Sequence, residues 1–184
     1  MVSGTDGPVP IRDAAEPLDG RRVHLRPAIP GDAERFAQIL SEPSVHARWQ
    51  AADPTADAHD LAGADEEVAV WAIEADHEVV GIIQAAEETD SRYRHAGIDI
   101  VLKTVAQGRG LGSDAVRTVA RWLIDGRGHH RLIIDPAADN AAAIGAYAKV
   151  GFRPVGLMRR YEGDLDGTWH DGLLMDLLAD ELID

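Results

Sequence analysis

The feature that most constrains this chain is a glycine-rich segment that leads directly into a long amphipathic helix. The glycine segment is Gln107-Gly108-Arg109-Gly110-Leu111-Gly112, and the helix is predicted from Ser113 to about Asp125. Glycines let neighbouring backbone N–H groups converge on one point, and the start of a helix adds about half a positive charge. The segment therefore predicts a binding site for a phosphate or diphosphate group.

The flanking patterns predict one α/β domain. Strands are predicted at residues 22–27, 68–74, 79–85, 95–102, 131–135, 152–157 and 173–178, and the other helices at 32–42 and 139–150. Because the strands first form hairpins and then alternate with helices, we expect a mixed, mostly antiparallel sheet with helices on both faces. Residues 43–66 are expected to form a mobile lid or a short helical excursion. Residues 1–20 are expected to be a flexible leader, which precedes a single domain over 21–184.

Charge and composition narrow the function. With 32 acidic and 18 basic residues, the net charge of −14 argues against a nucleic-acid partner and favours cationic ones. The chain has no cysteine, which excludes a cysteine nucleophile and is compatible with a cytoplasmic location. No apolar run approaches the ~20 residues of a membrane span, so no membrane partner is expected. No metal-ligand spacing occurs either, so we expect no metal.

Three kinds of phosphate-binding loop compete for the glycine segment. A dinucleotide fingerprint needs G-x-G-x-x-G, and a nucleoside-triphosphate loop needs a lysine followed by Ser or Thr. The third is Q/R-x-x-G-x-G/A, which residues 107–112 fit at every fixed position. A second motif begins at Asn140, reaches Tyr147 and ends at Phe152, and it resembles N-x-x-A-x-x-x-Y-x-K-x-G-F. Over residues 22–178 the chain therefore resembles the GNAT superfamily of N-acetyltransferases.

This resemblance implies a fold, a donor and several roles. It implies a GNAT fold whose sheet is splayed between strands 95–102 and 131–135, with acetyl-CoA as acyl donor and Tyr147 as general acid. A tyrosine of pKa ~10 keeps its proton at neutral pH and can give it to a thiolate. A main-chain N–H on the fourth strand, near Ile100 or Val101, would stabilise the oxyanion. The implied coenzyme-binding residues are Ile100, Val101, Gln107, Gly108, Arg109, Gly110, Leu111, Gly112, Ser113 and Asn140, the last of which also suits a helix cap.

Asp99 is the most informative single carboxylate. It lies in mid-strand between Ile98 and Ile100, where a carboxylate is costly unless it is solvated, paired or aimed into a pocket. It is expected to act as a base or an ammonium anchor, although a surface position on an edge strand stays open. Glu87 and Glu88 are rival bases.

The acceptor is predicted from a narrower resemblance. Gly97-Ile98-Asp99, Asp135-Pro136 and Asp171-Gly172 resemble the pattern of aminoglycoside 6'-N-acetyltransferases, which implies substrate contacts from Trp49, Glu87, Asp99, Asp135 and Asp171. Residues 51–102 hold thirteen acids and two arginines, and such a surface attracts polycations. Direct transfer in a ternary complex to the 6'-amine of an aminoglycoside is therefore expected.

Other functions stay open at this point. Ribosomal-protein N-terminal acetyltransferases and polyamine or other small-amine acetyltransferases also take basic substrates. A non-catalytic acyl-CoA sensor would need the glycine segment without a working acid. The sequence is also compatible with a homodimer.

Overall fold

The computed structural model describes residues 9–49, 52–63, 67–164 and 166–184. The strands are β1 (Leu18–Asp19), β2 (His24–Pro27), β3 (Val68–Ala75), β4 (Glu78–Glu88), β5 (His95–Leu102), β6 (Arg131–Ile134), β7 (Arg153–Gly163) and β8 (Trp169–Leu178). The helices are α1 (Ala33–Leu40), α2 (Pro43–Trp49), α3 (Pro54–Gly63), α4 (Leu111–Arg121) and α5 (Ala141–Ala148), and α4 continues into a π-helical turn, Trp122–Gly126.

The strands form one sheet in the order β1-β2-β3-β4-β5-β6-β8-β7. Within the described part of the chain, β5 and β6 pair in parallel and the other neighbours pair antiparallel. The prediction of a mixed, mostly antiparallel sheet is therefore confirmed. No helix among the described residues is long and apolar enough to cross a membrane.

The sheet separates two hydrophobic clusters because its side chains alternate between faces. Ile83 and Ile98 belong to the cluster that includes α4 and α5, whereas Ile82 and Val101 belong to the cluster under α1 and α3. The predicted stripe of α4 is confirmed, since its apolar residues Val116, Val119, Ala120 and Leu123 are all buried.

Two strands differ from the sequence-based prediction, and a third segment agrees with it. Strands β7 and β8 extend beyond the predicted 152–157 and 173–178, because they pair with each other along a long hairpin. β7 is mostly exposed, so its composition lacks the alternation that marks a half-buried strand. Residues 43–66 form helices α2 and α3 in their described part, which agrees with a helical excursion.

The described part of the expected leader, residues 9–20, packs against the domain. Ile11 is 3% exposed, and the indole Nε1 of Trp71 donates to the carbonyl oxygen of Glu16 at 2.9 Å. Leu18 pairs with Leu25 across β1 and β2. Residues 9–20 are therefore anchored and not loose, while residues 1–8 lie outside the described residues.

The predicted splay of the sheet is confirmed. β5 and β6 share two residue pairs, Ala96 with Leu132 and Gly97 with Ile133. On its other side, β5 pairs with β4 along its whole length. Beyond Gly97 the sheet therefore opens, and a gap is left beside the second half of β5.

Candidate active site

A cleft of about 1120 Å³ lies where the sheet opens. Its walls come from α2, the second half of β5, the glycine segment, the start of α4, the length of α5, and the end of β7. The sequence-predicted residues that line it are Trp49, Asp99, Ile100, Val101, Gln107, Gly108, Gly110, Gly112, Ser113, Asp135, Asn140 and Tyr147. The cleft thus brings together residues from distant parts of the sequence.

The glycine segment forms one end of this cleft. Gly108 and Gly110 have φ angles of +70° and +78°, in the left-handed region that glycine adopts without a steric cost. Helix α4 starts directly after Gly110, so its unpaired N–H groups lie at the same place. Small residues, left-handed turns and a helix N-terminus fit a diphosphate group. The side chains of Arg109 and Leu111 lie elsewhere: Arg109 pairs with Asp76 at 2.8 Å, and Leu111 is buried in the core.

Arg22 fixes the orientation of the glycine segment. Its Nη1 donates to the carbonyl oxygen of Arg109, and its own backbone N–H donates to Asp114 Oδ2 at 2.7 Å. The C=O and N–H of a trans peptide point in opposite directions, so anchoring the Arg109 carbonyl turns the N–H of Gly110 away from Arg22. Sequence reasoning did not identify Arg22, because its partner lies 87 positions later in the chain.

Three polar side chains tie the walls of the cleft together. Asn140 Oδ1 accepts a hydrogen bond from the backbone N–H of Ala143 at 3.1 Å and caps α5, as expected. Ser113 Oγ donates to the carbonyl oxygen of Ala146 at 3.2 Å and joins α4 to α5. Gln107 Nε2 donates to the carbonyl oxygen of Leu102 at 3.0 Å. These contacts fix the distance between the glycine segment, β5 and α5.

The direction of the β5 backbone follows from two hydrogen bonds. The N–H of Lys103 donates to Val80 on β4, whereas the carbonyl of Leu102 faces Gln107 on the cleft side. Backbone groups alternate in direction along a strand. The N–H and C=O of Val101 therefore face β4, and the N–H of Ile100 faces the gap. Of the two residues predicted as oxyanion donors, Ile100 therefore has the suitable orientation.

Tyr147 lies on α5 with its ring in the core and only 8% of its surface exposed. Its hydroxyl has no hydrogen-bond partner among the described residues, although it belongs to a side chain that lines the cleft. Burial raises the pKa of Tyr147 far above 10, and the negative charges of Asp99 and Asp135 add to the rise. The phenol is therefore protonated at neutral pH and available as a proton donor.

Asp99 faces the cleft from the middle of β5. Its Oδ2 accepts a hydrogen bond from Gln84 Nε2 at 3.1 Å, and Gln84 is its register partner on β4. Desolvation by the cleft walls raises the pKa of Asp99, and the negative charge of Asp135 raises it further. The hydrogen bond from Gln84 partly opposes this rise. β5 lies between β4 and β6, so the alternative of an edge-strand residue is wrong.

Two residues of β7 complete an acidic end of the cleft that sequence reasoning did not find. The hydroxyl of Tyr161 donates to Asp135 Oδ2 at 2.5 Å, and this bond raises the pKa of Tyr161 to about 12. Glu162 also lines the cleft, where desolvation, followed by the charge of Asp135, raises its pKa. Asp99, Asp135 and Glu162 thus face one space.

Glu87 lies outside the cleft, contrary to its predicted role as a substrate contact or base. It belongs to the opposite face of β4 from Gln84, and its carboxylate contacts Arg127 at 2.8 Å and His129 at 2.7 Å. Burial disfavours its charge, but the hydrogen bonds from both partners outweigh burial and lower the pKa of Glu87. Glu87 therefore forms a structural ion pair with the segment that follows the π-helical turn.

Two further predicted residues also lie outside the cleft lining. Glu88 Oε1 accepts a hydrogen bond from the backbone N–H of Asp90 at 2.8 Å, which makes it a turn residue rather than a base. Asp171 Oδ1 accepts from the backbone N–H of Arg160 at 2.8 Å, so its carboxylate supports β7 instead of contacting a ligand. Within the described ranges, no group of three or more His, Asp or Glu side chains could hold a metal ion.

Comparison with known proteins agrees with this geometry. Residues 22–153 match the model of the acetyltransferase (GNAT) domain family. No curated protein sequence matches the chain. Three solved structures illustrate the similarity.

The first is RimJ from Mycobacterium smegmatis in complex with CoA-disulfide, with a TM-score of 0.76 and 25% identity over 91% of this chain and 88% of that one. The second is the ribosomal alpha-N-protein acetyltransferase RimL in complex with coenzyme A, with a TM-score of 0.77 and 18% identity over 90% of this chain and 99% of that one. The third is a chimera of the Vibrio cholerae spermidine N-acetyltransferase SpeG, with a TM-score of 0.72 and 17% identity over 86% of this chain and 96% of that one. At 18% and 17% identity, the latter two support the fold alone.

Proposed function

Because this chain belongs to the GNAT acetyltransferase family, we propose that it transfers an acetyl group from acetyl-CoA to the 6'-amine of an aminoglycoside. It is an N-acetyltransferase that uses acetyl-CoA as donor. The acceptor proposal rests on one observation, the arrangement of the cleft. One end of the cleft suits a diphosphate, and the other end carries Asp99, Asp135 and Glu162.

The glycine segment and α4 would bind the diphosphate of the donor. Gly108, Gly110 and Gly112 line the cleft without side chains that could fill it. Arg22 supports this role, since it orients the peptide between Arg109 and Gly110. The geometry therefore favours contacts from main-chain N–H groups, which need no basic side chain.

Three groups would carry the chemistry. Asp99 would take a proton from the acceptor ammonium, whose nitrogen then attacks the thioester carbonyl carbon. The N–H of Ile100 would donate to the carbonyl oxygen as it gains negative charge. As the C–S bond breaks, Tyr147 would give its phenolic proton to the thiolate, whose parent thiol has a pKa of ~8.5. The attacking nitrogen then loses its second proton, which returns to the phenolate of Tyr147. Since the chain has no cysteine, no acyl-cysteine intermediate can form, and the transfer would be direct.

The two proton transfers are coupled through charge. The negative charge of Asp99 is one cause of the raised pKa of Tyr147. When Asp99 takes the ammonium proton, this contribution is lost and the phenol becomes a stronger acid. Protonation of Asp99 therefore lowers the pKa of Tyr147 before the step in which the thiolate leaves.

The acidic end supports an acceptor with several positive charges. Asp99, Asp135 and Glu162 line it, and the basic side chains that line the cleft are Arg48 and Lys149. Arg48 is already paired with Asp139. An aminoglycoside carries several ammonium groups and could pair with more than one carboxylate at once. Trp49, which also lines the cleft, would border this acceptor.

A polyamine is the second candidate, favoured by the same three carboxylates. Purified enzyme should be incubated with acetyl-CoA and, separately, kanamycin, spermidine and a peptide with a free N-terminus. Mass spectrometry should show one added acetyl group on kanamycin, which fragmentation locates at the 6'-amine. Acetylation of spermidine or the peptide, but not of kanamycin, would overturn the proposal. Asp135→Asn should raise KM for kanamycin, whereas Asp180→Asn, a matched change at an exposed carboxylate, should not.

A further inference from the structure

Strand β7 carries a bulge beside the cleft. Arg160 has a φ of +51°, in the left-handed region that residues other than glycine rarely adopt. The pairing of β7 with β8 shifts register between Met158 and Glu162, on either side of it. The backbone N–H of Arg160 donates to Asp171 Oδ1 on β8 at 2.8 Å. One carboxylate of the neighbouring strand therefore holds a strained turn.

The bulge changes what the end of β7 presents. In a regular strand, consecutive side chains point to opposite faces. Tyr161 and Glu162 are consecutive, yet both line the cleft, directly after the left-handed residue. Gly172 lies beneath the ring of Tyr161, and a Cβ at that position would come within 2.8 Å of Tyr161 Cδ1. The bulge and the missing side chain together give the Tyr161 ring its place.

We propose that Asp171 is a positioning residue for acceptor binding, which acts by holding the bulge at Arg160 and so directing Tyr161 and Glu162 into the cleft. The proposal rests on the proposed function, because it assumes that the acidic end binds ammonium groups of the acceptor. Tyr161 fixes Oδ2 of Asp135 through its hydroxyl. The other oxygen of Asp135 and the carboxylate of Glu162 can then meet a second cationic group of the acceptor.

The test begins with Asp171→Ala, which removes the acceptor of the Arg160 N–H. We expect KM for kanamycin to rise about ten- to a hundredfold, as for a lost hydrogen bond to a charged group, with KM for acetyl-CoA unchanged. Adding Arg160→Gly should restore KM, because glycine adopts the left-handed conformation without support. Arg159→Gly is the matched control and should not restore it, since Arg159 is the adjacent exposed arginine and has no positive φ.

Crystal structures of the variants separate this proposal from the proposed function. In Asp171→Ala, the Tyr161 hydroxyl should leave Asp135, and in the double variant with Arg160→Gly it should return. An unchanged contact in Asp171→Ala, or rescue by Arg159→Gly as well, overturns the proposal. If the wild-type enzyme leaves kanamycin unmodified, the proposed function fails, while the crystal structures still decide the role of Asp171. Should Asp171→Ala fail to fold, Tyr161→Phe must reproduce the rise in KM, and an unchanged KM overturns the proposal.

Discussion

Replacing Tyr147 by phenylalanine removes a hydroxyl and keeps the aromatic ring. The ring is 8% exposed and lies beside Phe152, with 6.4 Å between the ring centroids. The hydroxyl has no hydrogen-bond partner in the described part of the chain, so the change breaks no hydrogen bond. The hydroxyl oxygen belongs to a side chain that lines the cleft and is not one of the fully buried, unpartnered side-chain atoms. We therefore expect Tyr147→Phe to change the free energy of unfolding by no more than about 1 kcal/mol.

The effect on the reaction should be large, because the same hydroxyl is the proposed proton donor. Loss of a general acid lowers kcat by about 10²–10⁴. This corresponds to about 2.7–5.4 kcal/mol in the activation free energy, since each factor of ten costs about 1.36 kcal/mol. KM for acetyl-CoA should change little, because the glycine segment and Asn140 keep their geometry. The variant thus separates catalysis from both stability and donor binding.

The assay measures initial rates of thiol release with a chromogenic thiol reagent, at saturating acetyl-CoA and kanamycin. Thermal unfolding followed by circular dichroism gives the stability. Tyr93→Phe is a matched control, because this tyrosine is 68% exposed and does not line the cleft. A kcat for Tyr147→Phe within about twofold of wild type would refute the role of the phenol. A large loss of stability would contradict the statement that its hydroxyl is unpaired.

Three further outcomes are expected. Gly110→Glu should abolish binding of coenzyme A in isothermal titration, because its side chain adds bulk, strain and negative charge at the diphosphate site; tight binding contradicts that location. Wild-type kcat/KM should fall with decreasing pH as Asp99 is protonated, at a pKa above its ordinary 3.8. In Asp99→Asn this fall of kcat/KM towards low pH should disappear, so the ratio of wild-type to variant rates should be smallest at low pH. A ratio that stays constant with pH would argue against a titrating base. The pKa of Glu87 is lowered from 4.5, so this group stabilises the fold above about pH 4.5 and less as pH falls through the lowered value. Glu87→Gln should therefore lower the unfolding temperature at pH 7 and progressively less in acid, and an equal loss at every pH would exclude a charge effect.

The parts of the site that depend on local sequence could be predicted. A glycine segment before a helix has few other structural solutions, and Gly108 and Gly110 adopt the positive φ angles that their lack of a side chain permits. Asn140 and Tyr147 are seven residues apart on one helix, about two turns, and both line the cleft. Asp99 could be identified because a carboxylate between two isoleucines in mid-strand is unfavourable unless it is solvated, paired or aimed into a pocket.

The parts that depend on distant partners could not be predicted. The face of β4 to which Glu87 belongs is decided by the register of the whole sheet, and its partners Arg127 and His129 follow about forty residues later. Tyr161 and Glu162 enter the cleft only because a bulge interrupts the alternation of β7. That bulge depends on a carboxylate of another strand, so no local periodicity reveals it.

The narrow junction between β5 and β6 has a consequence for the width of the cleft. Two residue pairs join the halves of the sheet there, and the core beneath α4 spans both halves. Val116 and Val119 of this helix are fully buried and do not line the cleft. Enlarging or trimming these side chains would therefore shift one half of the sheet relative to the other and change the reach between donor and acceptor. The dimensions of the reaction space are set in part by residues that no substrate touches.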